Sequence, residues 1–286
     1  MADADAVIVF VLPLIHTKEP VDFTKRQPGQ LWLGLNTEPP TSIPKESGYV
    51  FKPNALNAMI AYQRAADVYY PYGYYHPKTV ATELQINTNR PKLVAWMVSH
   101  CRTYSKREHY VKTLQQHIPV DIYGRCGPLN CSRTNRSCPH MIETNYKFYL
   151  SFENAACVDY ITEKAWRILT MNVVPVVLGG ADYKRFLPPH SFIDVRDFRP
   201  AKHLADYLLM LGNNDTLYRK YFEWKRHYDI RGPNIYCQMC AYMNRVHAQN
   251  DTSTWAPGRL TYVSDVERQC IKPENYFTLE DFKTFA

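Results

Sequence analysis

From residue 92 onward, continuously apolar runs alternate with segments of helical spacing, and this alternation restricts the fold more than any other feature. "KLVAWMVSH" (92–100), "VDIYG" (120–124), "YKFYLSFEN" (146–154), "VPVVLGG" (174–180) and "HSFIDV" (190–195) read as strands. "LVAWMV" (93–98) and "VPVVL" (174–178) are continuously apolar, so both faces of those strands need cover. "SKREHYVKTLQQH" (105–117), "EKAWRILTM" (163–171) and "AKHLADYLLMLG" (201–212) carry apolar residues at helical spacing and supply that cover. Ser105 followed by Glu108 predicts a capping box at the first of these helices. Strands alternating with helices imply an α/β class with a parallel, doubly wound sheet.

The first third is less regular. "AVIVFVLPLI" (6–15) reads as a buried parallel strand, too short to span a bilayer, and Asp3 and Asp5 before it make a poor signal peptide. The chain therefore begins almost inside a strand, which implies a truncated protein or an anchor lying outside this sequence. "LWLGLN" (31–36) is a second strand, followed by a proline-rich loop, and "ALNAMIAYQRAADVYYPYG" (55–73) reads as a short helix, a strand and a turn. A polar linker covers 83–92. At 286 residues the chain exceeds one comfortable core. The expected division is a smaller domain over 1–90, a regular α/β domain over 91–240 and an irregular, cysteine-bearing tail over 241–286.

A net charge of +7 favours an anionic partner. The cations form neither a long run nor an amphipathic helix, which argues against nucleic acid and a membrane surface and leaves a phosphate-bearing small molecule. Open parallel sheets bind ligands beyond the carboxyl ends of their strands, where helix N-termini converge. Glu153, Asn154, Asp159, Glu163 and Lys164 collect at such a corner, and Arg107 lies in the first turn of another helix. Arg107 and Lys164 near helix starts describe a phosphate site. No metal-ligand set accompanies it: the one DxD, Asp3-Ala4-Asp5, sits at the terminus, and "CQMC" lacks a second pair at zinc spacing.

The cysteines number eight, and sequons stand at Asn130, Asn135, Asn214 and Asn250. Together they point to an oxidising, secretory compartment. Cys237 and Cys240 are the expected disulfide participants, bonded to each other or to separate partners, because they sit in a tail that needs pinning.

"YKFYLSFENAACVDYITEKAWRILTMNVVPVVLGG" closely resembles the signature of the α1,3-fucosyltransferases, glycosyltransferase family ten. "QLWLGLNTEPPTSIP", "YYPYG", "KLVAWMVSHC", "VDIYGRCG" and "SFIDVRDF" fit the same family in the same order. The resemblance implies a GT-B architecture, two Rossmann-like domains facing a cleft, the N-terminal one short at its start. It implies inverting transfer of fucose from GDP-fucose to the 3-hydroxyl of a GlcNAc residue in a glycoprotein glycan. The family's donor-site residues map onto Arg107, Asn154, Tyr160, Glu163 and Lys164, and its base onto Glu38 of "NTEPP". GDP-fucose is a co-substrate, no cofactor or metal is required, and a divalent cation stimulates by binding released GDP. The expected setting is the Golgi lumen, as a type II membrane protein whose anchor is not in this sequence. "YGRCG", Cys157 and "YCQMC" resemble the N-glycan core subgroup more than the antenna one. The competing reading is a truncated or diverged relative that binds nucleotide or glycan without catalysis. "NTEPP", "SHC" and "YQRAAD" (62–67) depart from the family pattern, mostly in the acceptor-side half.

Overall fold

The computed structural model describes residues 4–12, 25–43, 56–131, 137–249 and 265–273. In chain order the strands are β1 (Ala6–Phe10), β2 (Leu31–Asn36), β3 (Ala58–Ala61), β4 (Val68–Tyr69), β5 (Tyr74–Pro77), β6 (Lys92–Met97), β7 (Val120–Tyr123), β8 (Tyr146–Phe152), β9 (Val174–Leu178), β10 (Ile193–Asp194) and β11 (Tyr228–Arg231). The helices are α1 (Arg107–Leu114), α2 (Ser137–Asn145), α3 (Glu163–Leu169), α4 (Tyr183–Phe186), α5 (Ala201–Gly212), α6 (Asp215–Lys220), α7 (Ile235–Gln249) and α8 (Val266–Gln269).

The chain divides into two units. Unit 1 comprises Met1–Tyr72, Cys157–Tyr160 and Pro233–Cys270; unit 2 comprises Gly73–Ala156, Ile161–Gly232 and Ile271–Ala286. The sequence boundary at 90 therefore differs from the structural one, and unit 1 recruits two segments distant in sequence.

Unit 1 holds a parallel sheet in the order β1-β2-β3-β4. The "AMIA" of β3, expected to be helical, is a strand. It pairs on both sides, and all four residues are buried, so sheet pairing satisfies backbone groups that a lone helical turn would leave half unpaired. Leu31, Leu33, Ala58, Ile60 and Val68 form one face of the core. Ile235, Met239, Tyr242, Met243 and Val246 of α7 cover it. The tail over 241–286, read as irregular, thus opens inside a helix of 15 residues. Its apolar positions recur at helical spacing, but the polar and cysteine residues between them hide the stripe.

Unit 2 holds a parallel sheet in the order β10-β9-β8-β6-β7 and a two-stranded antiparallel ribbon of β11 and β5. Val94, Trp96, Phe148, Leu150, Phe152, Val174 and Val176 face one side, against α1 and α5. Ala95 and Tyr149 face the other, against Ile142 of α2 and Ile168 of α3. Covering on both faces is what the unbroken apolar runs demanded. The chain steps from β6 to β7 on one side and then crosses to β8 on the other. The order therefore reverses between β6 and β8, and open parallel sheets bind their ligands beyond the carboxyl ends of the strands at such a reversal.

Candidate functional site

In unit 2 the residues singled out in the sequence gather at this reversal. Glu153 follows β8 directly and is 1% exposed. Its Oε1 accepts from Thr162 N at 2.8 Å and Thr162 Oγ1 at 3.0 Å; its Oε2 accepts from Thr162 Oγ1 at 2.9 Å and Lys164 Nζ at 3.1 Å. Lys164 Nζ also donates to Thr162 Oγ1 at 2.7 Å and lies 3.4 Å from Glu163 Oε1. Glu153 therefore ties the end of β8 to the start of α3. Burial pushes its carboxyl above the usual range, and Lys164 and the Thr162 backbone oppose that rise. A Cβ at Gly179, after β9, would force the Tyr183 hydroxyl to shift and would meet Glu153 Cγ at 3.4 Å.

Asn154 comes next, and its Oδ1 is buried with no hydrogen-bond partner among the described residues. Its carbonyl accepts from Ser105 N at 3.0 Å, and Ser105 Oγ donates to the Glu153 carbonyl at 2.7 Å. Ser105 is thereby diverted from capping α1. The N-cap is Lys106, left-handed at φ 55°, without a side-chain cap bond. Glu108 instead accepts from Thr103 N at 3.2 Å and Thr103 Oγ1 at 2.9 Å. The expected capping box is absent because tertiary bonding to β8 claims its serine. Arg107 is 3% exposed. It donates to the Phe152 carbonyl and, at 3.4 Å, to the His100 carbonyl, and its guanidinium lies 5.5 Å from the centre of the Trp96 ring. Arg107, Asn154 and Lys164 thus all attach to the carboxyl end of β8. Lys164 is 22% exposed and Glu163 is 63% exposed.

Glu38 and Tyr160 belong to unit 1. Glu38 stands two residues beyond β2, half-buried. Asn36, 3% exposed, brackets its backbone: Nδ2 donates to the Glu38 carbonyl at 3.0 Å and Oδ1 accepts from Glu38 N at 3.1 Å. The Tyr72 hydroxyl donates to the Thr37 carbonyl at 2.8 Å. Tyr160 is 1% exposed, and its hydroxyl donates to Glu38 Oε2 at 3.3 Å. Tyr160, mapped with the donor residues by resemblance, is thus brought to Glu38. Glu153, Asn36 and Tyr72 received no role from the sequence; an acid directly after "LSF" was the one signal that pointed to Glu153.

Disulfides join Cys101 to Cys126, Cys131 to Cys138 and Cys157 to Cys270. Cys237 and Cys240, the expected participants, are free and exposed in this structure, because the inner face of α7 is taken by Ile235, Met239 and Tyr242. Asn130 and Asn214 are exposed, and Asn214 caps α6, accepting from Leu217 N at 3.0 Å. Asn135 and Asn250 lie outside the described residues. Among the described residues no group of three or more His, Cys, Asp or Glu side chains is placed to hold a metal ion, and no helix is long and apolar enough to cross a membrane.

Two parallel sheets, one with a reversal beside a charged corner, define an α/β protein of the GT-B type. A family model described as glycosyltransferase family 10 (fucosyltransferase), C-terminal, matches residues 87–257, and one described as fucosyltransferase, N-terminal, matches residues 1–73. The chain belongs to glycosyltransferase family 10. It is 36% identical over 265 residues to alpha-(1,3)-fucosyltransferase C of Drosophila melanogaster, covering 84% of this chain and 61% of that protein. It is 37% identical over 258 residues to alpha-(1,3)-fucosyltransferase fut-1 of Caenorhabditis elegans, covering 83% of this chain and 57% of that protein. The chain thus spans about three-fifths of the length of these curated relatives. A crystal structure of an α1,3-fucosyltransferase with GDP shares the fold at a TM-score of 0.53 and 14% identity, covering 79% of this chain and 76% of that one.

Proposed function

We propose that this chain transfers fucose from GDP-fucose, with inversion, to the 3-hydroxyl of a GlcNAc residue in glycoprotein glycans, at the N-glycan core. Its setting is the Golgi lumen, as part of a type II membrane protein. What supports the reading most directly is that Asn154, Glu163 and Lys164, which the family resemblance assigns to the donor, follow β8 where its sheet reverses order. Lys164 and Arg107 stabilise the diphosphate charge, Glu163 accepts from ribose hydroxyls, and Asn154 offers both donor and acceptor. Glu38 takes the proton of the acceptor hydroxyl as that oxygen bonds to the anomeric carbon. The bond from that carbon to the diphosphate breaks, and its electron pair leaves on GDP.

Glu38→Gln keeps the shape but cannot take a proton. Turnover should fall about 10²–10⁴-fold, the usual worth of a positioned base, while GDP affinity and fold persist. Near-parental turnover in this variant removes Glu38 as base. Transfer should survive chelation with EDTA; activity silenced by EDTA and restored by Mn²⁺ in folded protein overturns the metal-free reading. A parent chain that binds GDP yet transfers no fucose to a GlcNAc-terminated acceptor is the non-catalytic relative.

A further inference from the structure

Gln63 is 2% exposed, and both polar atoms of its side chain, Oε1 and Nε2, are buried with no hydrogen-bond partner among the described residues. The polar groups around it are committed elsewhere. Ala66 N donates to the Gln63 carbonyl at 3.0 Å, Arg64 N donates to Asp159 Oδ2 at 3.0 Å, and Asp67 Oδ2 accepts from Met59 N at 2.9 Å. The turn between β3 and β4 thus holds together without this amide. A buried amide that lacks partners costs stability, and an apolar side chain of the same size avoids that cost. Gln63 lies in "YQRAAD" (62–67), a stretch that departs from the family pattern, and in unit 1, as Glu38 does. β2 and β3 are parallel neighbours in which Asn36 is registered with Ala61. Glu38 and Gln63 each stand two residues beyond that pair, so they leave the same edge of the sheet on adjacent strands. Such strands lie about 4.8 Å apart, and open parallel sheets take ligands beyond this carboxyl edge.

We propose that Gln63 is a specificity-determining residue for the acceptor, its amide pairing with the 2-acetamido group of the GlcNAc whose 3-hydroxyl gives its proton to Glu38. The acetamido group is the substituent next to the reacting hydroxyl. It presents one N–H and one carbonyl, and a primary amide matches both: Oε1 accepts from the N–H while Nε2 donates to the carbonyl. A hydroxyl at the same carbon presents a single oxygen and meets only half of that pair. Because the Gln63 amide has no hydrogen bond to break, it turns onto the sugar by side-chain rotation alone. This proposal rests on the reading of Glu38 as base and of GlcNAc as acceptor.

The test compares two acceptors on the full chain, a glycan carrying GlcNAc at the reacting position and the same glycan carrying glucose there. The parent should prefer the first. Gln63→Met keeps the size of the side chain and its burial. Its KM for the GlcNAc acceptor should rise roughly ten- to a hundredfold, the worth of two hydrogen bonds, with KM for the glucose acceptor and for GDP-fucose unchanged. Its melting temperature should equal or exceed the parent's, because an unpaired buried amide is gone. Gln63→Glu is close in shape, keeps the accepting oxygen and removes the donor, so the preference should shrink in it as well, whether or not the methionine variant folds. A parent without preference, a variant preference equal to the parent's, or a KM that rises equally for both acceptors overturns the proposal. A lowered melting temperature with both KM values unchanged assigns the amide to a water-bridged turn and overturns it too. A parent that transfers to neither acceptor, or near-parental turnover of Glu38→Gln, overturns the underlying reading instead.

Discussion

Lys164→Ala tests the charged corner of unit 2 independently of catalysis. Lys164 Nζ bonds Thr162 Oγ1 at 2.7 Å and Glu153 Oε2 at 3.1 Å, and the side chain is only 22% exposed. A hydrogen bond to a charged group contributes about 1.5–3 kcal/mol. Leaving a buried carboxylate without its cation costs about 3–5 kcal/mol if it stays ionised. Glu153 escapes part of that cost by taking a proton, since burial already pushes its carboxyl above the usual range. We therefore expect a loss of about 2–3 kcal/mol at pH 7. The pH dependence carries a definite sign. A carboxyl raised in the folded state stabilises folding most below its unfolded pKa, and that contribution is lost as pH climbs through the folded value. Lys164 is one of the groups holding Glu153 down. Removing it raises Glu153 further, so the deficit should be small near pH 4 and full at neutral pH. Urea unfolding across this range, followed by tryptophan fluorescence, measures it; Trp166 on α3 reports locally. In a Glu153→Gln background the cost at pH 7 should shrink to about 1 kcal/mol, the remaining Thr162 bond. A deficit independent of pH, or one unchanged by Glu153→Gln, refutes the account of Glu153 as the hub. In the same variant GDP affinity should fall; affinity equal to the parent's removes Lys164 from the donor site.

Asn36→Ala should cost unit 1 about 1–3 kcal/mol, because the Glu38 backbone N–H and C=O lose their partners. Its turnover should drop with GDP affinity retained, as read by steady-state kinetics and calorimetry. Lys225, whose Nζ donates to the Met171 carbonyl at 2.6 Å, is pushed down from 10.5 to about 8 by burial. The unfolded chain therefore binds more protons between those values, so stability should rise with pH across that window by on the order of 3 kcal/mol. Lys225→Met should flatten that rise in unfolding curves taken between pH 8 and 10.5; a slope equal to the parent's contradicts it.

The parts legible in the sequence are those encoded by local periodicity. β6 after Lys92 and the whole of β9 announce themselves as unbroken apolar runs, and α5 by buried Leu204, Ala205, Leu208 and Leu211 at helical spacing. The strand-to-helix corner around β8 and α3 is legible for the same reason, since its charges interrupt core sequence within a short span. Tertiary structure decided what depends on partners far along the chain. "AMIA" is a strand because β2 and β4 flank it, a fact no short window contains. Ser105 abandons its helix for the Glu153 carbonyl, 48 residues on. Cys157 finds Cys270 across 113 residues, and Tyr160 meets Glu38 across 122. Hydrophobic periodicity follows from the geometry of a single element. Which hydroxyl, thiol or carboxylate faces which is set by how separate elements pack, and a linear pattern holds no trace of that pairing.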